Sequence, residues 1–148
     1  MTLISILNNF SRPQKQLIVV FNDIIISLIA TWIAFSLRLD TLHSPYGNQY
    51  IVYIITLFLF IPFFFPFGLY QAIFRYSGLA TFKSIFFATM TYGFVLFIIL
   101  FFAKLQSVPR SIGILQPILF FVLVSTSRFI AVSLIQTIYV NKNESRFL

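Results

Sequence analysis

Four long apolar runs occupy most of the 148-residue chain, at about residues 17–37, 50–70, 84–103 and 112–138. A helix rises about 1.5 Å per residue, so about 20 apolar residues cross a hydrocarbon core about 30 Å thick. Each run is long enough for such a crossing. The pattern therefore predicts an all-α membrane protein with four transmembrane helices, and little chain remains for a soluble catalytic domain.

The runs divide the chain into three parts. We expect a short cytoplasmic lead at residues 1–16, a four-helix transmembrane domain at residues 17–140 and a polar C-terminal end at residues 141–148. Pro13, beside Ser11 and Arg12, is interpreted as a break before the first span. That span, from about Leu17, is too long and lacks a convincing cleavage site for a secretory signal peptide, so we interpret it as retained.

Composition agrees with membrane residence. Hydrophobic residues make up 59% of the chain and charged residues 9%, whereas an ordinary soluble domain has about 25% charged residues. The expected partner is the lipid bilayer. The net charge of +7 comes from basic residues scattered among the predicted helix ends, and they form no continuous stripe, so we expect no nucleic-acid binding. The absence of cysteine excludes disulfides, thiolate nucleophiles and cysteine metal sites.

The basic residues also predict the orientation of the spans. With four crossings, one side holds Arg12, Lys15, Arg75, Lys83, Lys142 and Arg146, and the other holds Arg38, Lys104 and Arg110. Because basic residues are enriched on the cytoplasmic side, this distribution predicts that both termini are cytoplasmic. The expected location is the bacterial inner membrane.

Two segments between and within the spans have clear local signals. The first loop, at residues 40–48, is rich in turn-forming residues and should face water. Its His43 is interpreted as a solvated loop residue and not as a catalyst. In the second span, Pro62 and Pro66 each remove a backbone donor, which predicts a kink before the span ends near Tyr70.

Two further positions predict helix contacts. Asp23 lies within the first span, on one helical face with small residues such as Ser27 and Ala34 that allow close packing. Thr89 and Gly93 offer a second small-residue contact, on the third span.

An isolated charge in hydrocarbon costs several kcal/mol, so the position of Asp23 needs an explanation. One interpretation is a proton or cation site in a small transporter. The other, which we favour, is an ion pair with Arg128, because both residues have a matching predicted depth near the cytoplasmic side.

Signals for catalysis are missing. The five glycines are too dispersed for a nucleotide-binding loop, and His43 has only Asp40 as a nearby acid. The three acidic residues fall in different predicted regions, and no second histidine supports a metal site. We therefore expect no catalytic, cofactor-binding or metal-binding residue in this chain.

Several strings, taken in order along the chain, resemble the N-terminal membrane region of CapD-like nucleoside-diphosphate-sugar 4,6-dehydratases and epimerases of polysaccharide biosynthesis. Related membrane regions occur in some sugar-phosphate transferases. The strings are Asp23–Arg38, Gly68–Tyr70 with Arg75 and Tyr76, Val108–Ile112, and Ser127–Phe129.

The resemblance implies a membrane anchor that is followed, in full-length members, by a cytosolic domain that binds NAD(P) and holds a Tyr-Lys catalytic pair. We expect this chain to be a fragment or truncated relative without that domain, so no catalytic residue is carried over. The matching residues imply roles in positioning, loop shape and interface contact. These are Arg38, Arg75, Tyr76, Pro109, Arg110 and Arg128.

The expected function is a non-catalytic anchor that assembles with polysaccharide or glycan biosynthesis enzymes. Two alternatives stay open at this point. One is a small ion-coupled transporter that uses Asp23, and the other is an accessory membrane protein that recruits partners. The sequence is also compatible with a homo-oligomer.

Overall fold

The computed structural model describes residues 11–70 and 79–144, and these ranges contain four α-helices and no strand. Helix α1 is Arg12–Leu39, α2 is Gln49–Phe64, α3 is Leu79–Ala103 and α4 is Ile112–Glu144. The predicted all-helical architecture is confirmed for the described part of the chain.

Helix α1 begins at Arg12, before the predicted start of the span at Leu17. Ser11 precedes the helix in an extended conformation, and its backbone N–H donates a hydrogen bond to Gln14 Oε1 at 2.9 Å. Pro13 lies in the first turn, where its missing N–H removes no helical hydrogen bond. The proline that was interpreted as a break therefore helps to begin the helix.

Helix α2 ends at Phe64 instead of continuing to Tyr70. Pro62 lies inside the helix and Pro66 follows in the next turn, and neither has an N–H for the helical ladder. Gly68 then adopts a φ of 65°, which residues with a Cβ rarely adopt. The predicted kinked span is thus a 16-residue helix followed by turns.

The helices form an antiparallel bundle. Helices α1 and α3 each pack against both α2 and α4. Asn22 of α1 bonds to Ser127 of α4, whereas Thr31, further along α1, bonds to Gln116, earlier in α4. The N-terminal half of α1 and the C-terminal half of α4 therefore lie at the same end of the bundle.

Glycines allow α3 and α4 to approach closely. A Cβ built on Gly93 would lie 2.7 Å from Pro117 Cβ, and one built on Gly113 would lie 3.0 Å from Phe97 Cα. Thr89, one turn before Gly93, is also buried. The small-residue contact predicted on the third span is present, and its partner is α4.

The bundle has polar side chains inside and large apolar side chains outside. Asp23, Gln49 and Gln116 are fully buried, whereas Phe58 and Phe129 are 73% and 74% exposed. Soluble monomers rarely expose large contiguous apolar surfaces, and hydrocarbon solvates such a surface well. This distribution is that of a membrane protein.

Three of the described helical segments are long and apolar enough to cross a membrane, namely Pro13–Leu39, Leu79–Ala103 and Ile112–Leu134. They contain 27, 25 and 23 residues. Helix α2, with 16 residues, reaches only about 24 Å by itself. Helix α4 continues beyond Leu134 to Glu144, into the segment predicted as a polar end.

Candidate functional site: a buried ion pair and its polar surroundings

An ion pair joins α1 to α4 inside the bundle. Arg128 Nη2 donates a hydrogen bond to Asp23 Oδ2 at 2.6 Å. The Asp23 side chain is fully buried and that of Arg128 is 9% exposed. The contact predicted from sign and depth is therefore present. Because the two charges compensate each other, neither remains as an isolated charge in the interior.

Neighbouring polar groups extend this contact into a cluster. Asn22 Nδ2 donates to Ser127 Oγ at 2.9 Å, one residue away from the ion pair on both helices. Tyr70, in the turns after α2, is buried and lies close enough to interact with the Asp23 carboxylate. Residues from three parts of the chain thus converge on Asp23.

A second polar network connects all four helices, and sequence reasoning missed it. The Tyr92 hydroxyl of α3 donates to Gln116 Oε1 of α4 at 2.7 Å, and Gln116 Nε2 lies 3.5 Å from Thr31 Oγ1 of α1. Thr31 Oγ1 lies 3.2 Å from Thr56 Oγ1 of α2. All four residues are fully buried. Single polar residues inside apolar runs were the available signal.

The two threonine hydroxyls of this network also have an acceptor within their own helix. Thr31 Oγ1 lies 2.8 Å from the Ser27 carbonyl oxygen, and Thr56 Oγ1 lies 3.0 Å from that of Tyr53. Each hydroxyl has one proton, so one threonine donates to its own helix and accepts from the other threonine, which donates across the α1–α2 contact. In a membrane, where water cannot compensate, such internal pairing is required.

At the opposite end of the bundle, the loop at residues 40–48 is fixed to α1. Trp32 Nε1 donates to the His43 carbonyl oxygen at 3.0 Å, and the His43 N–H donates to Ser36 Oγ at 3.3 Å. The His43 ring stacks on Phe35 with a centroid distance of 4.5 Å, and its other neighbour is the Tyr53 ring at 6.2 Å.

The interpretation of His43 as a solvated loop residue was therefore wrong. The side chain is only 6% exposed, because backbone contacts draw the loop over aromatic rings of α1 and α2. Burial disfavours the charged imidazolium and lowers the pKa of His43 from its ordinary value of 6.5. Neither ring nitrogen has a hydrogen-bond partner in the described part of the chain.

Gln49 connects the two loops at this end. Its Nε2 donates to the Ser107 carbonyl oxygen at 3.0 Å, and its Oε1 accepts from the Tyr46 N–H at 3.2 Å. Gln49 is the first residue of α2 and is fully buried. Its amide therefore holds residues of both connections against the start of α2.

The remaining predicted residues lie apart from the ion pair. Arg38 is exposed in the last turn of α1, and Pro109 is half-buried in the loop before α4. Arg110 is exposed, and its guanidinium lies 5.0 Å from the centroid of the Phe101 ring. Arg75 and Tyr76 lie outside the described residues.

The cluster around Asp23 and Arg128 can keep an ion pair inside the bundle and can connect α1 to α4. Within residues 11–70 and 79–144, no three His, Cys, Asp or Glu side chains are grouped so that they could hold a metal ion.

Comparisons with protein-family models, with curated proteins and with solved structures give no match for this chain. The assignment of function therefore rests on the site itself and on the sequence.

Proposed function

We propose that this chain is a non-catalytic membrane anchor and assembly domain with four transmembrane spans. Three spans correspond to the long apolar helices. The fourth is α2 together with the turns that follow it. Gln49, at the start of α2, contacts the loop before α4, whereas Tyr70 lies beside Asp23 toward the other end. Residues 49–70 therefore extend from one end of the bundle toward the other, which supports a complete crossing of the membrane.

The proposed orientation places both termini in the cytoplasm of a bacterium, with the domain in the inner membrane. The greater number of basic residues on the side of the termini supports this orientation. The ion pair is compatible with it, because Asp23 precedes Thr31 in α1 and Arg128 follows Gln116 in α4, so the pair lies nearer to the termini than the second polar network does. The end of α4, which reaches Glu144, would then enter the cytoplasmic interface.

The observation that carries the anchor proposal is the pairing of the two buried charges. Among the described residues, Asp23 and Arg128 are the buried side chains that carry full charge, and they bind each other. A buried carboxylate that is engaged in this way joins two helices, and it is less available to bind and release an ion in each transport cycle.

The resemblance to CapD-like dehydratases supports the biological setting of the proposal. In that family, the corresponding region anchors an enzyme that acts on nucleotide-activated sugars, and NAD(P) is bound by the soluble domain. By this likeness, the chain brings sugar-nucleotide chemistry close to lipid-linked acceptors and contacts enzymes of polysaccharide or glycan biosynthesis. No residue of this chain is assigned to the cofactor or to catalysis.

Crosslinking in native membranes tests the proposal. A photoreactive residue at the exposed position Phe129 should capture an enzyme of nucleotide-sugar or lipid-linked glycan synthesis, and one at Phe58, on a different helix, serves as the matched control. Purified chain should neither bind nicotinamide cofactor nor dehydrate sugar nucleotides. Turnover by the purified chain would overturn the proposal, as would crosslinking to other proteins alone in membranes that contain these enzymes.

The transporter alternative makes a separate expectation. Proteoliposomes that contain the chain should show no ion-coupled flux above that of empty liposomes. A flux that Asp23→Asn abolishes while the helices remain folded would favour the transporter.

A further inference from the structure

The loop at residues 40–48 is held on α1 by His43. The Trp32 indole N–H donates to the His43 carbonyl oxygen at 3.0 Å, and the His43 N–H donates to Ser36 Oγ at 3.3 Å. The imidazole ring packs face to face on Phe35, with an angle of 10° between the two ring planes. His43 therefore contacts α1 through both its backbone and its ring.

The surroundings of this ring favour its neutral form. Tyr53 of α2 completes a cluster of three nearly parallel rings, 6.2 Å from the centroid of His43 and 6.1 Å from that of Phe35. Both imidazole nitrogens are buried, and the residue as a whole is 6% exposed. A protonated ring in this position would carry a full charge that bulk water does not reach.

Charged groups near this end of the bundle do not compensate such a charge. Within the ring cluster, the other titratable group is the Tyr53 hydroxyl. The remaining charged side chains of the described loop end are exposed, and they are Arg38 and Asp40 at the end of α1 and Lys104 and Arg110 in the α3–α4 connection. Burial alone lowers the pKa of His43. An aromatic face attracts a cation, but the direction of this shift means that the cost of burial is larger.

We propose that the loop at residues 40–48 is a pH-sensitive latch, which is closed while the His43 ring is neutral and is released when the ring takes up a proton. In the released loop water solvates the imidazolium, so the proton binds the released form more tightly than the closed form. Acid therefore increases the released population and breaks the contacts of the loop with Trp32 and Ser36.

The release is local, because the Asp23–Arg128 ion pair lies at the opposite end of the bundle. In the proposed orientation the latch faces the periplasm and responds to periplasmic acid. Only this assignment of the side rests on the proposed function.

Amide hydrogen exchange of the full chain in lipid nanodiscs, resolved to single residues, tests the latch. Both faces of a nanodisc contact the buffer, so the test does not depend on the orientation of the chain in a cell. The protection factor, which corrects for the pH dependence of exchange itself, should fall several-fold for the His43 N–H between about pH 7.5 and about pH 5.5. The limit for one proton that binds only the released form, with the ordinary pKa of 6.5, is about tenfold.

The matched control is the Ile112 N–H, which is bonded to the Pro109 carbonyl oxygen at the same end of the bundle. Its protection factor should be the same at both pH values. Equal protection of the His43 N–H at both pH values would overturn the proposal. An equal fall at His43 and Ile112 would also overturn it, because the whole end of the bundle would then loosen in acid.

Two variants assign the pH dependence to the imidazole. His43→Phe keeps an aromatic ring in the cluster but cannot titrate, so the protection of the N–H at position 43 should no longer depend on pH. Asp40→Asn removes an exposed titratable group of the same loop and should retain the wild-type dependence. Persistence of the dependence in His43→Phe, or its loss in Asp40→Asn, would overturn the proposal.

A third variant decides the question if His43→Phe does not fold. Ser36→Ala removes the acceptor of the His43 N–H and weakens the closed form, so the loop should be released at a higher pH than in the wild type. Release is followed by the fluorescence of Trp32, the single tryptophan, whose indole is bonded to the loop. An unchanged pH profile in Ser36→Ala would overturn the proposal.

Discussion

Removing either partner of the Asp23–Arg128 pair alone should cost nearly as much stability as removing both partners together. Asp23→Asn leaves the guanidinium of Arg128 without its 2.6 Å partner, and Arg128→Gln leaves the buried carboxylate alone. An unpaired buried charge costs about 3–5 kcal/mol, so we expect each single variant to lose about 3 kcal/mol of unfolding free energy.

The double variant contains two neutral amide side chains and no unpaired charge. Independent losses would sum to about 6 kcal/mol. We expect a loss of about 4 kcal/mol instead, which gives a coupling energy of about 2 kcal/mol. The measurement is unfolding of the detergent-solubilised chain, followed by far-ultraviolet circular dichroism as a denaturing detergent is added.

The adjacent hydrogen bond provides a matched control for this cycle. Asn22 and Ser127 connect the same two helices, one residue away, without charge. Interhelical hydrogen bonds in membranes contribute about 0.6 kcal/mol on average, so the Asn22→Ala and Ser127→Ala cycle should give a coupling of that size. Additive losses for Asp23 and Arg128, or a coupling no larger than the control, would refute the reasoning.

Three further perturbations test other contacts. Gly93→Ala should destabilise the chain by about 1–3 kcal/mol in the same unfolding assay, because the new Cβ would lie 2.7 Å from Pro117 Cβ. Gln116→Leu should cost about 1–3 kcal/mol by leaving the buried Tyr92 hydroxyl unpaired, and adding Tyr92→Phe should recover part of this loss. The lowered pKa of His43 means that the unfolded chain binds the proton more tightly. The contribution of the neutral His43 side chain to the unfolding free energy should therefore be fully present above pH 6.5 and decrease as the pH drops below it. His43→Phe should remove this pH dependence.

Each of these three predictions has an outcome that contradicts it. An unchanged unfolding free energy in Gly93→Ala would show that α3 and α4 do not approach closely at this point. Equal losses in Gln116→Leu with and without Tyr92→Phe would exclude the unpaired hydroxyl as the cause. Retention of the pH dependence in His43→Phe would assign it to another group.

The sequence predicted the ion pair because its determinants are few. The chain has three acidic residues, and Asp23 alone lies in an apolar run. Antiparallel order of four short-looped helices brings the start of the first and the end of the last together, which left Arg128 as the basic residue at a matching depth. Sign, depth and topology were sufficient.

Helix boundaries and long-range polar contacts were harder to predict from the sequence. Pro13 has opposite consequences in a helix interior and in a first turn, and local sequence does not separate these cases. The contact of Gln116 with Tyr92 and the burial of His43 depend on the rotation of each helix about its axis and on the path of a loop. Packing across the bundle sets both, so periodicity along one run did not reveal them.

The most direct test of four spans with cytoplasmic termini uses the absence of native cysteine. Single cysteines replace the exposed residues Ser11, Ser44 and Gln106, which lie before α1, between α1 and α2, and between α3 and α4. In cells with a permeable outer membrane, a maleimide that cannot cross the inner membrane should label Ser44→Cys and Gln106→Cys. It should label Ser11→Cys only after the inner membrane is opened. Labelling of Ser11→Cys in intact cells, or labelling of Ser44→Cys and Gln106→Cys from opposite sides, would contradict the account.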